Sequence, residues 1–172
     1  MDERVEKQLL ERTRRYGTAI ETKASSREVG RFVGFRIQDA NLGLPVALVH
    51  EFAPLTDWVP LRGLRHALGI AQLRGEVMGF VDLLETLTGR RSEVGDLMIV
   101  LQGRGGRTAA PISEILGART VLESDLLPRE QVPPLGPAFT AVTSDLWHLL
   151  DAGAVTAALD ADVPSAPSGP RG

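Results

Sequence analysis

The stretch from Leu68 to Leu83 constrains the fold more than any other part of the chain. It holds two apolar runs, Leu68 to Leu73 and Val77 to Val81, broken at Arg74-Gly75. Apolar runs of this length bounded by glycine predict strands, and so short a break predicts a tight connection. Gly75 can take the positive φ that such a bend often needs, which leaves Arg74 projecting from it. Asp82 with Glu85 reads as a capping box, and Leu83, Leu84 and Leu87 then make a short helix that stops at Gly89. A charged side chain held at a turn between apolar strands is placed to meet a partner. The residues alone do not name that partner.

Upstream, residues 2 to about 17 read as a helix, with Asp2 and Glu3 in its first turn and Arg12, Arg14 and Arg15 in its last. Its apolar stripe (Val5, Leu9, Tyr16) is thin, so the helix either docks peripherally or serves a partner. Thr22 to Glu28 is polar and reads as a linker. From Arg31 the pattern is that of strands. Phe32 to Ile37 forms one, Gln38 to Asn41 a turn, and Leu42 to Phe52 continues extended, with Pro45 expected at a strand start or an edge. Thr56 to Val59 is another short strand.

The second half repeats this style. Leu97 to Leu101 is a buried strand, Gly103 to Gly106 a turn, and Arg107 to Ile112 its returning partner. Ala118 to Leu122 follows as a strand, and Pro128 to Pro137 is too rich in proline for regular structure. Phe139 to Thr143 and Leu146 to Leu150 form a last hairpin about Ser144-Asp145, and Asp151 caps a closing helix from Ala152 to Leu159. The expected organisation is an extension and linker over 1–28, a β-rich body over 29–160 and a disordered tail over 161–172. Many short strands with peripheral helices make the class all-β.

Composition narrows the function. A chain of 172 residues suffices for one domain or two small subdomains sharing a core. The absence of cysteine excludes disulfides, thiolate nucleophiles and Cys-based zinc sites. A net charge of −3 gives no reason to expect nucleic acid or an anionic membrane as partner. There is no apolar stretch of bilayer-spanning length and no signal-peptide core, so a cytoplasmic protein is expected, without insertion in a membrane.

Catalytic constellations are missing as well. The three histidines, His50, His66 and His148, lack helical metal-pair spacing, and no metal or cofactor is expected. Strand alternation places His50 opposite Glu51, so that pair is no dyad. Gly103-Arg104-Gly105-Gly106-Arg107 is no P-loop and reads as a hairpin with solvated arginines. Asp82, Asp145 and Asp151 sit at cap or turn positions, and Trp58 and Trp147 read as packing residues. No enzyme is expected, and no catalytic residue.

The pattern of motifs resembles the CheW family of chemotaxis coupling proteins, from about Arg31 to Leu159. The Leu68 to Leu83 stretch is similar to the family's G-hydrophobic-x-N-L-R-G-x-hydrophobic-x-P-hydrophobic-hydrophobic-D-L signature, with Gln72 in place of Asn and Gly79 in place of Pro. Phe35-Arg36-Ile37, Leu42 to Pro45 and Val49-His50-Glu51-Phe52 match upstream, while Ile112-Ser113 replaces a Val-Asp pair. The resemblance implies two five-stranded SH3-like β-barrels around a shared core, without catalysis. It implies two partners, a CheA-type histidine kinase and the cytoplasmic tip of a methyl-accepting chemoreceptor. It also implies a partner-binding set of Val49, Glu51, Gly69, Arg74 and Gly75, with Glu51 orienting Arg74 by a charge-assisted hydrogen bond and Val49 left for a helical tip. The other readings are a divergent paralogue that keeps one partner in a non-flagellar pathway, and a ligand-binding or catalytic barrel.

Overall fold

The structure is a computed structural model that describes residues 26–63, 67–133 and 136–162. The expected N-terminal helix, His66 and the tail from 163 onward lie outside the described residues. Eleven strands run in chain order: β1 Glu28–Ile37, β2 Ala40–Pro45, β3 Val49–Pro54, β4 Asp57–Pro60, β5 Ala67–Leu73, β6 Glu76–Val81, β7 Leu97–Gly103, β8 Gly106–Ile112, β9 Glu114–Leu122, β10 Phe139–Val142 and β11 His148–Leu150. Helix α1 covers Leu83–Thr88 and helix α2 Ala152–Asp162.

The strands form two sheets. One has the order β10-β11-β2-β1-β9, and the other β3-β7-β8-β6-β5-β4. The second subdomain is thus inserted between β2 and β9 of the first. It carries six strands rather than five, the sixth being β4 at its edge. Pairing is antiparallel except between β11 and β2 and between β6 and β8.

Strand periodicity explains the cores. On β7, Ile99 and Leu101 point into the core shared by the subdomains, whereas Met98 and Val100 point into the second subdomain's own interior. Because both faces of the strand are covered, its sequence is a continuous apolar run. The shared core takes Phe35, Ile37, Leu42 and Leu44 from the first sheet, Val81 and Ile112 from the second, and Leu83, Leu84, Val155 and Leu159 from the helices. Each such side chain, once fully buried, contributes about 1.5–3 kcal/mol.

The helices begin as expected and the first ends as expected, whereas α2 runs on to Asp162, past the expected end at Leu159 and into the segment expected as tail. Asp82 Oδ1 accepts from the Glu85 N–H at 3.0 Å, and Gly89, at φ 79°, donates its N–H to the Glu85 carbonyl. Asp82 is buried yet well bonded, since Ser92 gives it a backbone N–H at 2.9 Å and a hydroxyl at 2.7 Å. Asp151 Oδ2 accepts from the Ala154 N–H at 2.8 Å.

Several boundaries differ from expectation. Val46–Leu48 is a 3-10 turn, not extended chain. Pro45 ends β2 rather than starting a strand, beyond the Leu42 and Gly43 that β11 pairs. β1 starts at Glu28, inside the expected linker, because Glu28 finds Leu122 as a partner. β9 starts four residues early, at Glu114, against Arg36. In the last hairpin β11 starts only at His148, since Leu146 takes a φ of 69° and the chain turns there.

Trp147 closes the first subdomain. It lies over Gly34 and Gly43, which face each other across β1 and β2. A Cβ on Gly34 would fall 2.3 Å from the indole Cη2. Arg119 stacks on the ring 4.1 Å from its centroid and holds Asp145 with two hydrogen bonds of 2.7 Å. Thr143 donates to the same carboxylate at 2.6 Å and accepts the Trp147 N–H at 2.9 Å.

Candidate partner-binding surface

The turn between β5 and β6 is a two-residue hairpin, with Leu73 opposite Glu76. Arg74 has φ 50° and Gly75 φ 82°, so both turn residues are left-handed, as in a type I′ turn. The sequence points to Gly75 for this geometry but not to Arg74. A non-glycine residue there is held at a cost of roughly 1 kcal/mol, and the rest of the site shows what holds it.

Glu51 holds it. Arg74 Nη1 donates to Glu51 Oε1 at 2.9 Å and Nη2 donates to Oε2 at 2.9 Å. Paired prongs of this kind suit the guanidinium's fixed fork and the planar carboxylate. The arginine side chain is 72% exposed and the glutamate only 21%, so the guanidinium covers its acid. The Arg74 hydrogen bond holds the Glu51 carboxyl below its ordinary value, against partial desolvation, with smaller help from the charges of Arg74, His50 and Arg107. Arg74 is raised in return, chiefly by the same bond.

A β-bulge decides which way these groups point. Val49 pairs with Leu101 and Glu51 with Val100, so His50 is the extra residue. Glu51 therefore shares the inner face of the second subdomain with Val100 and Ala53, while Val49 faces the shared core. The expected grouping of Val49 beside Glu51 on one surface does not form. Strand alternation also fails for His50, whose Nε2 lies 3.6 Å from Glu51 Oε1. The bulge brings together the two side chains that a regular strand would set apart.

Arg107 differs from expectation too. It donates to Glu76 Oε2 at 2.6 Å, whereas Arg104 is exposed in the turn. Arg107 and Glu76 each stand two residues before an inner-face residue, Ala109 and Met78. The same end of the subdomain is thus edged by His50, Glu51, Arg74, Glu76 and Arg107. Leu73, packed on the interior, lies beneath them.

Gly69 is buried and opposite Pro60. A Cβ there would lie 1.9 Å from the Val59 carbonyl oxygen, so this glycine permits the close approach of β4 and is not itself an exposed contact. Gly75 has open space around it.

A second surface was not anticipated. On the outer face of β4–β6, Val59 is 61% and Val77 62% exposed, with Ile70 at 36%. Val59 pairs with Ile70, and Ile70 with Gly79. The same sheet face is covered by the shared core at β7 and β8 and turns to solvent here. Its signal in the sequence is the lack of polar alternation in Ile70 and Val77, which a strand half in water would otherwise show. Between the subdomains, Leu48, Gln102, Arg104, Gly153, Thr156 and Asp160 line an open groove of about 580 Å³.

Among the described residues no cluster of His, Asp and Glu could hold a metal, and His148 meets the Asn41 carbonyl at 3.2 Å and the Phe139 ring rather than an acid. No described helix is long and apolar enough to cross a membrane.

A family model for the CheW-like domain matches residues 31–160. The chain belongs to this family. Among its relatives, the CheW-like chain is 32% identical to Protein FrzA of Myxococcus xanthus over 116 residues, 66% of this chain and 70% of FrzA. It shares its fold with the crystal structure of the scaffolding protein TtCheW from Thermoanaerobacter tengcongensis, at a TM-score of 0.57 and 19% identity, over 71% of this chain and 88% of that one. This CheW-like protein is a non-catalytic scaffold of chemosensory signalling, built on two SH3-like β subdomains.

Proposed function

We propose that this scaffold couples a CheA-type histidine kinase to the cytoplasmic tip of a methyl-accepting chemoreceptor, on the cytoplasmic side of a receptor array. The observation that carries the reading is the paired hydrogen bond of Arg74 to Glu51 on a projecting turn. An exposed guanidinium pre-oriented by a less exposed acid loses little freedom on meeting a partner. Of the five proposed partner-binding residues, Arg74 makes the contact and Glu51 and Gly75 set its position. Gly69 acts at a distance, by letting β4 approach β5, and Val49 by packing on the shared core below Glu51's strand. A helical receptor tip would meet Arg74 and the neighbouring groove.

The apolar face of Val59, Ile70 and Val77 is separate from Arg74 in chemistry and suits the kinase. Two surfaces of different character support a bridge over a single-partner protein. A small-ligand barrel fits poorly, because Met78, Phe80, Met98 and Val100 fill the second subdomain's interior.

The test is titration of the purified full chain with the kinase's regulatory domain and, separately, with a receptor tip fragment. Binding of both is expected. Binding of one assigns the chain to the single-partner paralogues of a non-flagellar pathway, and binding of neither overturns the coupling role.

A further inference from the structure

The bulge at His50 sets an imidazole against the acid that positions Arg74. His50 Nε2 and Arg74 Nη1 address the same oxygen, Glu51 Oε1, at 3.6 Å and 2.9 Å. Other charged groups at this end of the subdomain are Glu76 on β6 and Arg107 on β8, which bond each other at 2.6 Å, with Arg104 exposed in the β7–β8 turn and Asp57 exposed at the start of β4, opposite Gln72. With a neutral imidazole the charges balance, Arg74 on Glu51 and Arg107 on Glu76. A protonated imidazole adds a further cation, and Glu51 is the acid within its reach.

We propose that this charged rim is a proton-sensitive docking ring, in which His50 governs how firmly Glu51 holds Arg74 and so how readily Arg74 takes an acidic side chain of the partner. The proposal rests on the reading of Arg74 as a partner contact. Imidazole is the side chain that gains charge between about pH 8 and 5. On protonation its Nε2–H is drawn towards Oε1, and the oxygen must be shared. Arg74 keeps its charge throughout, but it then shares the single negative charge of Glu51 with a second cation and is held less firmly. The rim as a whole gains one positive charge, which favours a carboxylate from outside. Glu51 is not left unpaired when Arg74 turns outward, because His50 beside it keeps its charge compensated.

The first measurement needs no partner. Side-chain nitrogen NMR of Arg74 in the full chain, from about pH 8 to about pH 6, is expected to show separate, protected Nη–H signals at the upper end, held by the two bonds to Glu51, and averaged ones at the lower. His50→Gln should hold them protected throughout, and Glu51→Gln should release them at every pH. An Arg74 signal indifferent to pH in the native chain, or one that changes equally in His50→Gln, overturns the ring. The second measurement is affinity for a receptor tip fragment over the same range. A gain of about two- to fivefold on acidification, the size of one exposed ion pair, is expected in the native chain and not in His50→Gln. If Arg74 loosens while affinity stays constant, the docking role is overturned. If Arg74 loosens and the fragment binds at no pH, it is the receptor reading that falls and the proton response that stands.

Discussion

Glu51 and Arg74 meet through two hydrogen bonds of 2.9 Å although β3 is an edge strand and Arg74 lies on the β5–β6 turn, with β7 and β8 between them in the sheet. The pair spans the end of the second subdomain. Exposed as it is, it adds little to the stability of the fold. Arg74→Asn separates that share from any role in binding, because asparagine tolerates the left-handed backbone of this turn. The urea midpoint should stay close to that of the native chain, while affinity for the receptor tip falls about tenfold. Loss of the folded state in urea titration would make the pair structural instead.

Gly69→Ala should act through the backbone. The added Cβ would lie 1.9 Å from the Val59 carbonyl oxygen, so β4 must move away from β5. A loss of about 2–3 kcal/mol is expected, read as a lower urea midpoint with faster amide exchange along β4. Unchanged exchange there would show that the strand pair yields more easily than the geometry suggests.

Gly34→Ala tests the seat of Trp147. The methyl group would displace an indole held by Arg119 above and by Thr143 at its backbone N–H. We expect about 2 kcal/mol of destabilisation or more and a red-shifted tryptophan emission. A silent spectrum at full stability would contradict this packing.

Val59→Lys and Ile70→Lys place charge on the exposed outer face without touching the cores. Unfolding free energies should stay within about 0.5 kcal/mol of the native chain. Binding to the kinase's regulatory domain should fall, and binding to the receptor tip should not. Equal losses for both partners would mean that the two surfaces act as one.

Asp145 sets an acid limit. Arg119's hydrogen bonds, against partial desolvation and with help from the Thr143 hydroxyl, lower its carboxyl from 3.8 to about 2. A depressed folded value stabilises the protein above the ordinary value and is lost as pH falls through the folded one. The contribution should therefore fade between about pH 4 and about pH 2. Half exposed, the group contributes less than about 1 kcal/mol. Asp145→Asn should lower stability at neutral pH by that amount and flatten the acid limb between those values, as followed by thermal melts.

Much of this molecule is legible one segment at a time. The Arg74-Gly75 hairpin, the Asp82 cap with its Gly89 stop and the Asp151 cap follow from local backbone chemistry, and the Leu97–Leu101 strand follows from its apolar run. The Glu51–Arg74 contact followed from the family resemblance, as a pairing of positions. Turn type, capping and side-chain period are set by neighbours within a few residues, so the order of residues suffices to find them.

Other features exist only once strands are paired. The bulge at His50 is a mismatch of register between β3 and β7, and neither strand carries it alone. It turns Val49 to the shared core and sets His50 beside Glu51. The slot for Trp147 needs Gly34 and Gly43 to face each other across β1 and β2. Whether Val59, Ile70 and Val77 are buried depends on where the first subdomain stops covering the second sheet. Local chemistry thus determined which elements form and where their chain turns. Register and the packing of one sheet on the other decided which side chains meet, because contacts between residues far apart in the chain leave no periodicity to read.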